Sequence, residues 1–330
     1  MLLLTEADVK SVLTMPTALQ AVEDSFRQLA EGTALLQVRQ RLHIPGKSYL
    51  IYMAAADLTG GYMGLKIYST SREGARFFVP LFDAESGRPL AMIEADYLGQ
   101  MRTGAASGLA TRILAREDAR AAAIIGTGLQ ARTQLEAIAL VRKLESVCAF
   151  SRDAQRREQF AKEMSVSLGV PVRPAASAEE AVRDRDIVVT STTSTSPVVE
   201  GRWLRPGVHV NAIGVNAPHR RELDADAVRR CDVVAVDSRG QSMLESGDLI
   251  QVFGNDPSHW TAVREMADIV AGKVPGRTSR GQITLFKSNG IAVEDVVVAG
   301  RVYQLALERG VGQSIAMWQK EMGPRGARGA

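Results

Sequence analysis

The first third of the chain combines helical spacing of apolar residues with short extended segments. Residues 5–31 carry apolar side chains at three- and four-residue intervals, which predicts two amphipathic helices. Farther along, the turn composition of residues 83–87 between two β-rich runs predicts a hairpin, and small residues dominate a long predicted helix from about 97 to 115. This third is therefore predicted to be an α+β unit, with strands at 49–56, 62–70, 76–83 and 88–95.

From Arg120 onward, short apolar runs alternate with amphipathic helical patterns. Short apolar runs are typical of buried strands, and helices between them are typical of a parallel sheet covered on both faces. After residue 237 the pattern is mostly helical, with a late strand at 283–288 and a last helix near 291–309. The fold class is therefore α/β, a doubly wound sheet joined to the α+β unit. The predicted buried strands are 121–125, 146–151, 170–173, 186–190, 209–213 and 232–237.

Composition narrows the class of protein. The 330 residues suggest about two domains, and 45% hydrophobic with 23% charged residues is an ordinary globular balance. A net charge of +3 is too weak a field to indicate nucleic acid or an anionic membrane as the partner. No apolar stretch approaches the roughly 20 residues of a membrane helix, and the start MLLLTEADVK is typical of neither a signal nor a transit peptide. We expect a soluble, cytoplasmic protein.

Cysteine and histidine usage does not indicate a metal centre. Two cysteines, Cys148 and Cys231, cannot form a disulfide framework or a zinc cluster. The four histidines lie far apart along the chain, without the spacing of metal ligands. We therefore expect no metal site.

The most specific local signal is the turn Gly126-Thr127-Gly128-Leu129-Gln130-Ala131, which follows a predicted strand and opens a helix. In this context a G-x-G-x-x-[GA] pattern predicts a dinucleotide site. Gly126 makes the tight turn, Gly128 lets backbone N–H groups approach a pyrophosphate, and Ala131 lets the helix pack closely on the strand. The helix N-terminus adds the positive end of its dipole. The alternative is a glycine turn in an α/β fold that binds no nucleotide.

The choice between the two nicotinamide cofactors depends on the tip of the next strand. A carboxylate there would hold a ribose 2′-hydroxyl and repel a 2′-phosphate. Here the tip positions are Ser151 and Arg152, and arginine can pair with a phosphate. Asp153 competes with this interpretation, but it also stands where a helix N-cap belongs. The sequence thus favours NADP(H) over NAD(H).

Further hydroxyl donors stand near the expected cofactor edge. Thr190, Ser191 and Thr192 follow a predicted strand, and ligands of doubly wound sheets bind at the carboxyl ends of the strands. Thr103, on the long helix, is a second candidate for the cofactor phosphate or ribose.

Several segments together carry a family resemblance. They are GLKIYS (64–69), LFDAESGRPLAMIEADYLGQMRTGAASGLATRILA (81–115), AIIGTGLQA (123–131), HVNAIGVNAPHRREL (209–223), VDSRGQSMLESGDL (236–249) and ITLFKSNGIAVED (283–295). Over about residues 5–310 the chain resembles the ornithine cyclodeaminase/μ-crystallin family.

The resemblance implies a homodimer with two domains in each chain. Residues 1–116 with 305–330 would form the substrate-binding and dimerisation domain, and residues 117–304 the Rossmann NAD(P)-binding domain. Members of the family include ornithine cyclodeaminases, alanine dehydrogenases and imine reductases. All act at the α-carbon of an amino or imino acid, so a small molecule of this class is the implied partner.

The resemblance also assigns the substrate contacts. Lys66 and Arg102 match family cations that surround the substrate carboxylate, and a planar guanidinium can bind both carboxylate oxygens. Arg39 matches a third, although Arg41 is close enough to leave the register open. A lysine there can also donate a proton to an imine nitrogen. Met53 is a candidate for the substrate pocket or for plain core packing.

The family segment around residues 213–216 contains an informative departure. Where a cyclodeaminase carries an aspartate, this chain has Asn216, which can form hydrogen bonds but cannot accept a proton as a base. Asn216 is also a plausible turn residue before Pro218. Val215 beside it and Ser288 are counted with the cofactor contacts, the latter by resemblance alone.

These residues favour an NAD(P)H-dependent oxidoreductase that reduces a C=N bond adjacent to a carboxylate. A pyrroline- or piperideine-2-carboxylate is a candidate substrate. The alternatives, in order, are an amino-acid dehydrogenase of the alanine type, an ornithine cyclodeaminase, and a protein that binds NADPH and a small ligand without turnover.

Overall fold

The structure is a computed structural model that describes residues 1–317. It contains two eight-stranded sheets with helices packed against them. The elements of the first part, in chain order, are β1 (Leu2–Leu4), α1 (Glu6–Val12), α2 (Met15–Glu31), β2 (Ala34–Leu36), β3 (Gln40–Ile44), β4 (Ser48–Asp57), β5 (Tyr62–Ser71), β6 (Gly74–Asp83), β7 (Pro89–Glu94) and α3 (Asp96–Leu114).

The remaining elements begin with the strand that precedes the glycine-rich turn. They are β8 (Ala121–Ile125), α4 (Leu129–Val141), β9 (Ser146–Phe150), α5 (Ala154–Leu168), β10 (Val172–Pro174), α6 (Ala178–Val182), β11 (Ile187–Thr190), β12 (His209–Ala212), α7 (Ala225–Arg229), β13 (Val233–Val236), α8 (Arg239–Glu245), α9 (Gly247–Phe253), β14 (Arg264–Glu265), α10 (Met266–Val270), β15 (Thr284–Lys287), α11 (Ala292–Arg309) and β16 (Gln313–Ser314). Two short 3-10 helices cover Gly201–Trp203 and Pro257–Trp260.

The second sheet is the doubly wound sheet that the sequence predicts. All its strands are parallel, in the order β10-β9-β8-β11-β12-β15-β13-β14. The strand order reverses between β8 and β11, and ligands of such sheets bind at the carboxyl ends of the strands at this point. Fully buried aliphatic residues fill these strands, because helices cover both faces.

The first sheet is mainly antiparallel. Strands β4, β5, β6 and β7 form a meander, which includes the predicted hairpin of β6 and β7, and the edge is completed by β1 and β16. The sequence analysis missed β2 and β3, which both pair with β4. One face of this sheet packs against α11, and its side chains form part of a core shared with α2 and α3.

Helix α3 joins the two units. It packs against α4 of the second unit and α2 of the first, and most of its residues are buried. Small residues make this possible: a Cβ added at Gly104 would lie 2.5 Å from the carbonyl oxygen of Thr133 on α4. The residues near the start of this helix are therefore held rigidly at the junction of the units.

Helix α11 belongs to the first unit over its whole length. It packs against α2, β4 and β5, although it directly follows the second sheet in sequence. The predicted division at residues 304 and 305 would cut this helix, so we place the boundary before residue 292 instead. Residues 318–330, which the sequence analysis grouped with this unit, lie outside the described residues.

The other face of the first sheet carries large apolar side chains that are open to solvent in the single chain. Strand pairing puts residues 42 and 50 opposite each other, and alternation along the strands puts the others on the same side. We call this the outer face; it comprises Leu35, Leu42, Ile44, Leu50 and Tyr52, whose exposed fractions are 38–59%.

Among the helices within residues 1–317, none has both the length and the hydropathy needed to cross a membrane.

Candidate active site

A cleft of about 620 Å³ lies between the first unit and the carboxyl edge of the second sheet. It brings together residues that are far apart in sequence, including the start of α3 and the glycine-rich turn. Many of the residues predicted from the sequence line it: Arg39, Met53, Lys66, Arg102, Thr103, Gly128, Leu129, Gln130, Ser191, Thr192, Asn216 and Ser288.

The turn after β8 has the geometry that a pyrophosphate site requires. Gly126 has a φ of +104°, and a Cβ there would lie 2.2 Å from the carbonyl oxygen of Ser191. Gly128 instead faces open space, with no heavy atom within 4 Å of an added Cβ. It begins α4, whose first N–H groups have no side-chain cap among the described residues. Ala131 is fully buried beneath this turn. The turn therefore fits the diphosphate of a dinucleotide.

The tip of β9 presents Ser151 and Arg152 to the same edge. The Thr127 hydroxyl donates to Ser151 Oγ over 3.0 Å, which joins the turn to the strand tip. The Asp153 carboxylate accepts from the backbone N–H of Arg156 at 3.0 Å and caps α5. Arg152 is exposed, and within residues 1–317 its guanidinium has no ion pair.

Seven of the predicted cofactor residues are not on the cleft lining: five belong to the turn and the strand tip (Gly126, Thr127, Ala131, Ser151 and Arg152), and two are buried beside the cleft (Thr190 and Val215). The Thr190 side chain is fully buried, and its hydroxyl donates to Glu222 Oε2 at 2.9 Å. Val215 is buried as well, and its carbonyl oxygen accepts from Lys287 Nζ at 2.6 Å. Both residues hold the loops that carry cleft residues such as Thr192 and Asn216.

Two buried carboxylates balance the cations of the cleft. Lys66 Nζ donates to Asp295 Oδ1 at 2.9 Å, and Arg102 Nε donates to the same oxygen at 3.1 Å. Arg102 Nη1 also donates to Glu294 Oε2 at 2.8 Å. Both carboxylates are fully buried in the first turn of α11, where the helix dipole also favours negative charge. The sequence analysis missed this pair, although the segment AVED that contains it was among those carrying the resemblance.

Burial makes Lys66 able to exchange a proton near neutral pH. Desolvation, with help from the charge on Arg102, lowers the pKa of Lys66 to about 8, while Asp295 opposes the shift. Desolvation raises the pKa of Glu294 to about 8, with Arg102 opposing. The site thus holds an ammonium that can give up its proton near neutral pH and a Glu294 carboxyl group that takes one up in the same range while its Oε2 accepts from Arg102.

Arg39 lies in the short break between β2 and β3, and this break directs it inward. Its Nη2 donates to the carbonyl oxygens of Asn289 at 2.8 Å and Gly290 at 2.9 Å, and its Nη1 pairs with Glu245. Arg41 pairs with the other oxygen of Glu245, and its guanidinium donates to the carbonyl oxygen of Asn216. The geometry therefore places Arg39, not Arg41, on the cleft wall.

Met53 and two aromatic residues form the apolar wall beside Lys66. Met53 is fully buried and lies opposite Lys66 in the register of β4 and β5. The rings of Tyr68 and Phe77 stack at 5.0 Å, and Lys66 Nζ lies 5.6 Å from the Phe77 ring centroid. The sequence analysis missed both residues. Alternation along β5 from Lys66 would have placed Tyr68 on this face, whereas Phe77 is placed there only by the pairing of β5 with β6.

Ser288 and Asn216 stand at the second-sheet side of the cleft. The Ser288 hydroxyl donates to Asp237 Oδ2 at 2.9 Å, and the backbone N–H groups of Asn289 and Gly290 donate to the same oxygen. Asp237 therefore fixes the segment against which Arg39 packs. The Asn216 side chain, where a cyclodeaminase would have its aspartate, lines the cleft.

The chain is similar over nearly its whole length to known proteins. It is 38% identical over 261 residues to a Delta(1)-pyrroline-2-carboxylate reductase of Bacillus cereus, covering 77% of this chain and 80% of that protein. The structure of Thermococcus litoralis Delta(1)-pyrroline-2-carboxylate reductase in complex with NADH and L-proline matches with a TM-score of 0.91 and 37% identity, over 96% of this chain and all of that one. An archaeal alanine dehydrogenase dimer with bound NAD matches with a TM-score of 0.89 and 33% identity, over 96% of this chain and 99% of that one.

A family model describes almost the entire chain. The model of the ornithine cyclodeaminase/mu-crystallin family matches residues 1–310, which confirms the resemblance carried by the six segments. The chain belongs to the ornithine cyclodeaminase/mu-crystallin family.

Proposed function

We propose that this protein reduces the C=N bond of an imine adjacent to a carboxylate, with a reduced nicotinamide cofactor as the hydride donor. The observation that carries this proposal is the placement of Lys66 and Arg102 in one cleft with the dinucleotide turn at Gly128. The similarity to pyrroline-2-carboxylate reductases supports the same reaction class.

Arg102 is the main carboxylate ligand in this proposal. Its Nε and Nη1 are held by Asp295 and Glu294, and within the described residues Nη2 has no protein acceptor. A guanidinium fixed in this way presents a directed donor at little entropic cost. Lys66 adds a second positive charge beside it. The two cations orient the substrate so that its imine carbon faces the cofactor.

Lys66 also supplies the proton. A reduced nicotinamide, when bound at the glycine-rich turn, would supply the hydride for the imine carbon. The electron pair of the C=N π bond moves to nitrogen, which takes a proton from the Lys66 ammonium. Solvent then reprotonates the lysine, so one hydride and one proton are consumed for each amine formed. The lowered pKa of Lys66 suits this exchange near neutral pH.

The apolar wall supports a substrate without a second charge, such as a cyclic ketimine carboxylate. Met53, Tyr68 and Phe77 present mostly carbon and sulfur surface beside Lys66. Of the residues within 1–317 that line the cleft, Asp96 is the only acidic one, and it is exposed to solvent. A substrate with a distal ammonium, such as ornithine, would have little counter-charge here. Asn216 further disfavours cyclodeamination, because it cannot act as a base.

Oxidative deamination of an amino acid is a second candidate. The similarity to an archaeal alanine dehydrogenase favours it. In that direction water must attack the imine, and Asn216 cannot accept its proton. We therefore rank this activity below imine reduction.

NADP(H) is the cofactor that the strand tip favours. Arg152 is exposed beside Ser151, and the carboxylate of Asp153 is engaged as a helix cap. This arrangement leaves a guanidinium available for a 2′-phosphate and turns the nearest acid toward the helix.

We also propose a homodimer formed through the outer face. Its leucine, isoleucine and tyrosine side chains form an exposed apolar patch, and such patches typically mark interfaces. The similar archaeal alanine dehydrogenase is described as a dimer. A second copy of this chain is therefore the occupant that we assign to the face.

The direct test is oxidation of reduced cofactor by a five-membered cyclic ketimine carboxylate. We expect loss of the reduced-nicotinamide absorbance, and the variant Arg102→Lys should lower kcat/KM by about 100-fold because the directed guanidinium is lost. The absence of oxidation with both NADPH and NADH would refute cyclic ketimine reduction. Ammonia release from alanine or ornithine with the oxidised cofactors would then identify the other reactions.

The pH profile tests the role of Lys66. Below a pKa of about 8 the ammonium is protonated, so kcat/KM should be highest there. Above this pKa the proton donor is lost, and kcat/KM should fall by about tenfold per pH unit. In Lys66→Arg the guanidinium stays protonated, so this alkaline decline should disappear from whatever activity remains. An identical decline in that variant would assign it to another group.

Arg152 tests the cofactor preference. We expect Arg152→Ser to raise the KM for NADPH by about 10- to 100-fold and to change the KM for NADH by less than about threefold. Arg156→Ser is the matched control, since Arg156 is exposed in the first turn of α5, just after the strand tip, and within residues 1–317 it forms an ion pair only with the capping Asp153. An equal rise in the KM for both cofactors, or no rise in the KM for NADPH, would exclude a 2′-phosphate contact at residue 152.

Light scattering coupled to gel filtration tests the dimer. The unmodified chain should elute as a dimer. The double variant Leu42→Lys with Leu50→Lys should shift the equilibrium toward monomer, because the two lysines put charges into an apolar interface. Val166→Lys is the control, since Val166 is an exposed apolar residue on α5, outside this face. A variant that stays as dimeric as the unmodified chain would exclude the outer face as the interface.

A further inference from the structure

Three buried charged side chains form a network behind the cleft, at the carboxyl edge of the second sheet. Glu222 lies in the loop after β12, Asp248 on α9 and Lys287 at the end of β15. All three are fully buried. Charges are buried this completely only when they are paired and hydrogen-bonded.

The network runs from Lys287 to Glu222 through Asp248. Lys287 Nζ lies 3.0 Å from Asp248 Oδ2. The other oxygen, Oδ1, accepts from the backbone N–H groups of Glu222 at 2.6 Å and Leu223 at 2.9 Å. Burial raises the pKa of Glu222, and the charge of Lys287 opposes this.

The carboxylate of Glu222 joins two loops of the cleft. Its Oε1 accepts from the backbone N–H of Thr192 at 2.6 Å, and its Oε2 accepts from the backbone N–H of Gly214 at 2.8 Å. These loops follow the adjacent strands β11 and β12, and both residues line the cleft. Both side-chain oxygens accept hydrogen bonds from backbone N–H groups. A carboxylate can do this, whereas an amide has only one oxygen and would place its NH₂ group against the other N–H.

The two loops are in direct contact around this carboxylate. A Cβ added at Gly214 would lie 2.3 Å from both the backbone N and O of Thr192, and 2.4 Å from Glu222 Oε1. Glu222 therefore sets a separation that permits no larger residue at position 214.

Lys287 connects the same network to the substrate side of the cleft. Its ammonium donates to the carbonyl oxygen of Val215, next to Asn216. The nearby residues Asn289 and Gly290 provide the carbonyl oxygens that hold Arg39.

We propose that Glu222 is a positioning residue for the cofactor. It holds the loops at Thr192 and Gly214 against each other, and the nicotinamide cofactor binds on the cleft side of this pair of loops, beside the substrate cations. Lys287 supplies the positive charge that opposes its protonation, and Asp248 fixes its orientation through the backbone N–H groups of Glu222 and Leu223. The proposal rests on the cofactor of the proposed function but not on the identity of the imine.

Glu222→Gln tests this role, with cofactor affinity measured without any imine. The amide leaves one backbone N–H without an acceptor, so the Kd for NADPH, followed by its fluorescence, should rise at least about fivefold. The KM for NADPH should rise likewise, and the KM for the imine carboxylate should stay within about twofold, because Lys66 and Arg102 hold the substrate.

Asp186→Asn is the matched control. Asp186 is also a buried carboxylate, and it accepts from the backbone N–H groups of Arg120 and Ala121 at 2.9 Å each, at the opposite end of the sheet. It should lower the melting temperature as Glu222→Gln does but leave the Kd for NADPH unchanged. A Glu222→Gln protein with unchanged cofactor affinity, or equal weakening in both variants, would overturn the positioning role.

Gly214→Ala provides a steric test if Glu222→Gln does not fold. It forces the same loops apart without removing a charge, so it should weaken NADPH binding as well. Gly201→Ala is equally crowded, 2.4 Å from Asp226 Oδ2, but lies away from the cleft and should not weaken binding. Equal affinities in these two variants would overturn the proposal. Failure of the unmodified chain to reduce imines while it still binds NADPH would instead overturn the proposed reaction alone.

Discussion

The pairing of Lys66 and Arg102 with the carboxyl groups of Glu294 and Asp295 is the constraint on which the rest of this structure depends. Two cations buried in a cleft would be unstable without nearby carboxylates, because desolvation would cost several kcal/mol for each charge. The carboxylates lie at the start of α11, which immediately follows the second sheet. The return of α11 to the first sheet is therefore coupled to the assembly of the site, and the fold and the chemistry share the same contacts.

The rigid junction of the two units follows from the same arrangement. Helix α3 carries Arg102 and packs closely on α4 through Gly104, so the cation stands at a fixed distance from the dinucleotide turn at the start of α4. Hydride transfer needs such fixed spacing between substrate and cofactor. On the other side of the cleft, Asp237 and Glu222 fix the loops with backbone hydrogen bonds. Most of the residues that line the cleft are thus held by elements outside it.

The sequence was sufficient for the parts of the site that depend on local pattern. The turn at Gly126, the helix that carries Arg102 and the parallel strands all follow from spacing and turn chemistry, and the structure has them at those positions. The charge partners were not predictable in this way, because Asp295 meets Lys66 across 229 positions and no local pattern specifies such a pair. The burial of Arg39 likewise depends on β2 and β3, whose short edge strands carry weak signals. Thr190 stands at a strand end, where a cofactor ligand is expected, but its distant partner Glu222 takes its hydroxyl instead.

The quartet of Lys66, Arg102, Glu294 and Asp295 also limits how such a site can change during evolution. Replacing Asp295 leaves Lys66 without its carboxylate partner, and breaking a buried pair in this way typically costs about 3–5 kcal/mol, a large part of a protein's stability. New substrates are therefore more accessible through uncharged lining positions such as Met53 and Asn216, where a single substitution disturbs no ion pair. A chain that keeps this quartet can change the shape of its cleft while the two cations stay where they are.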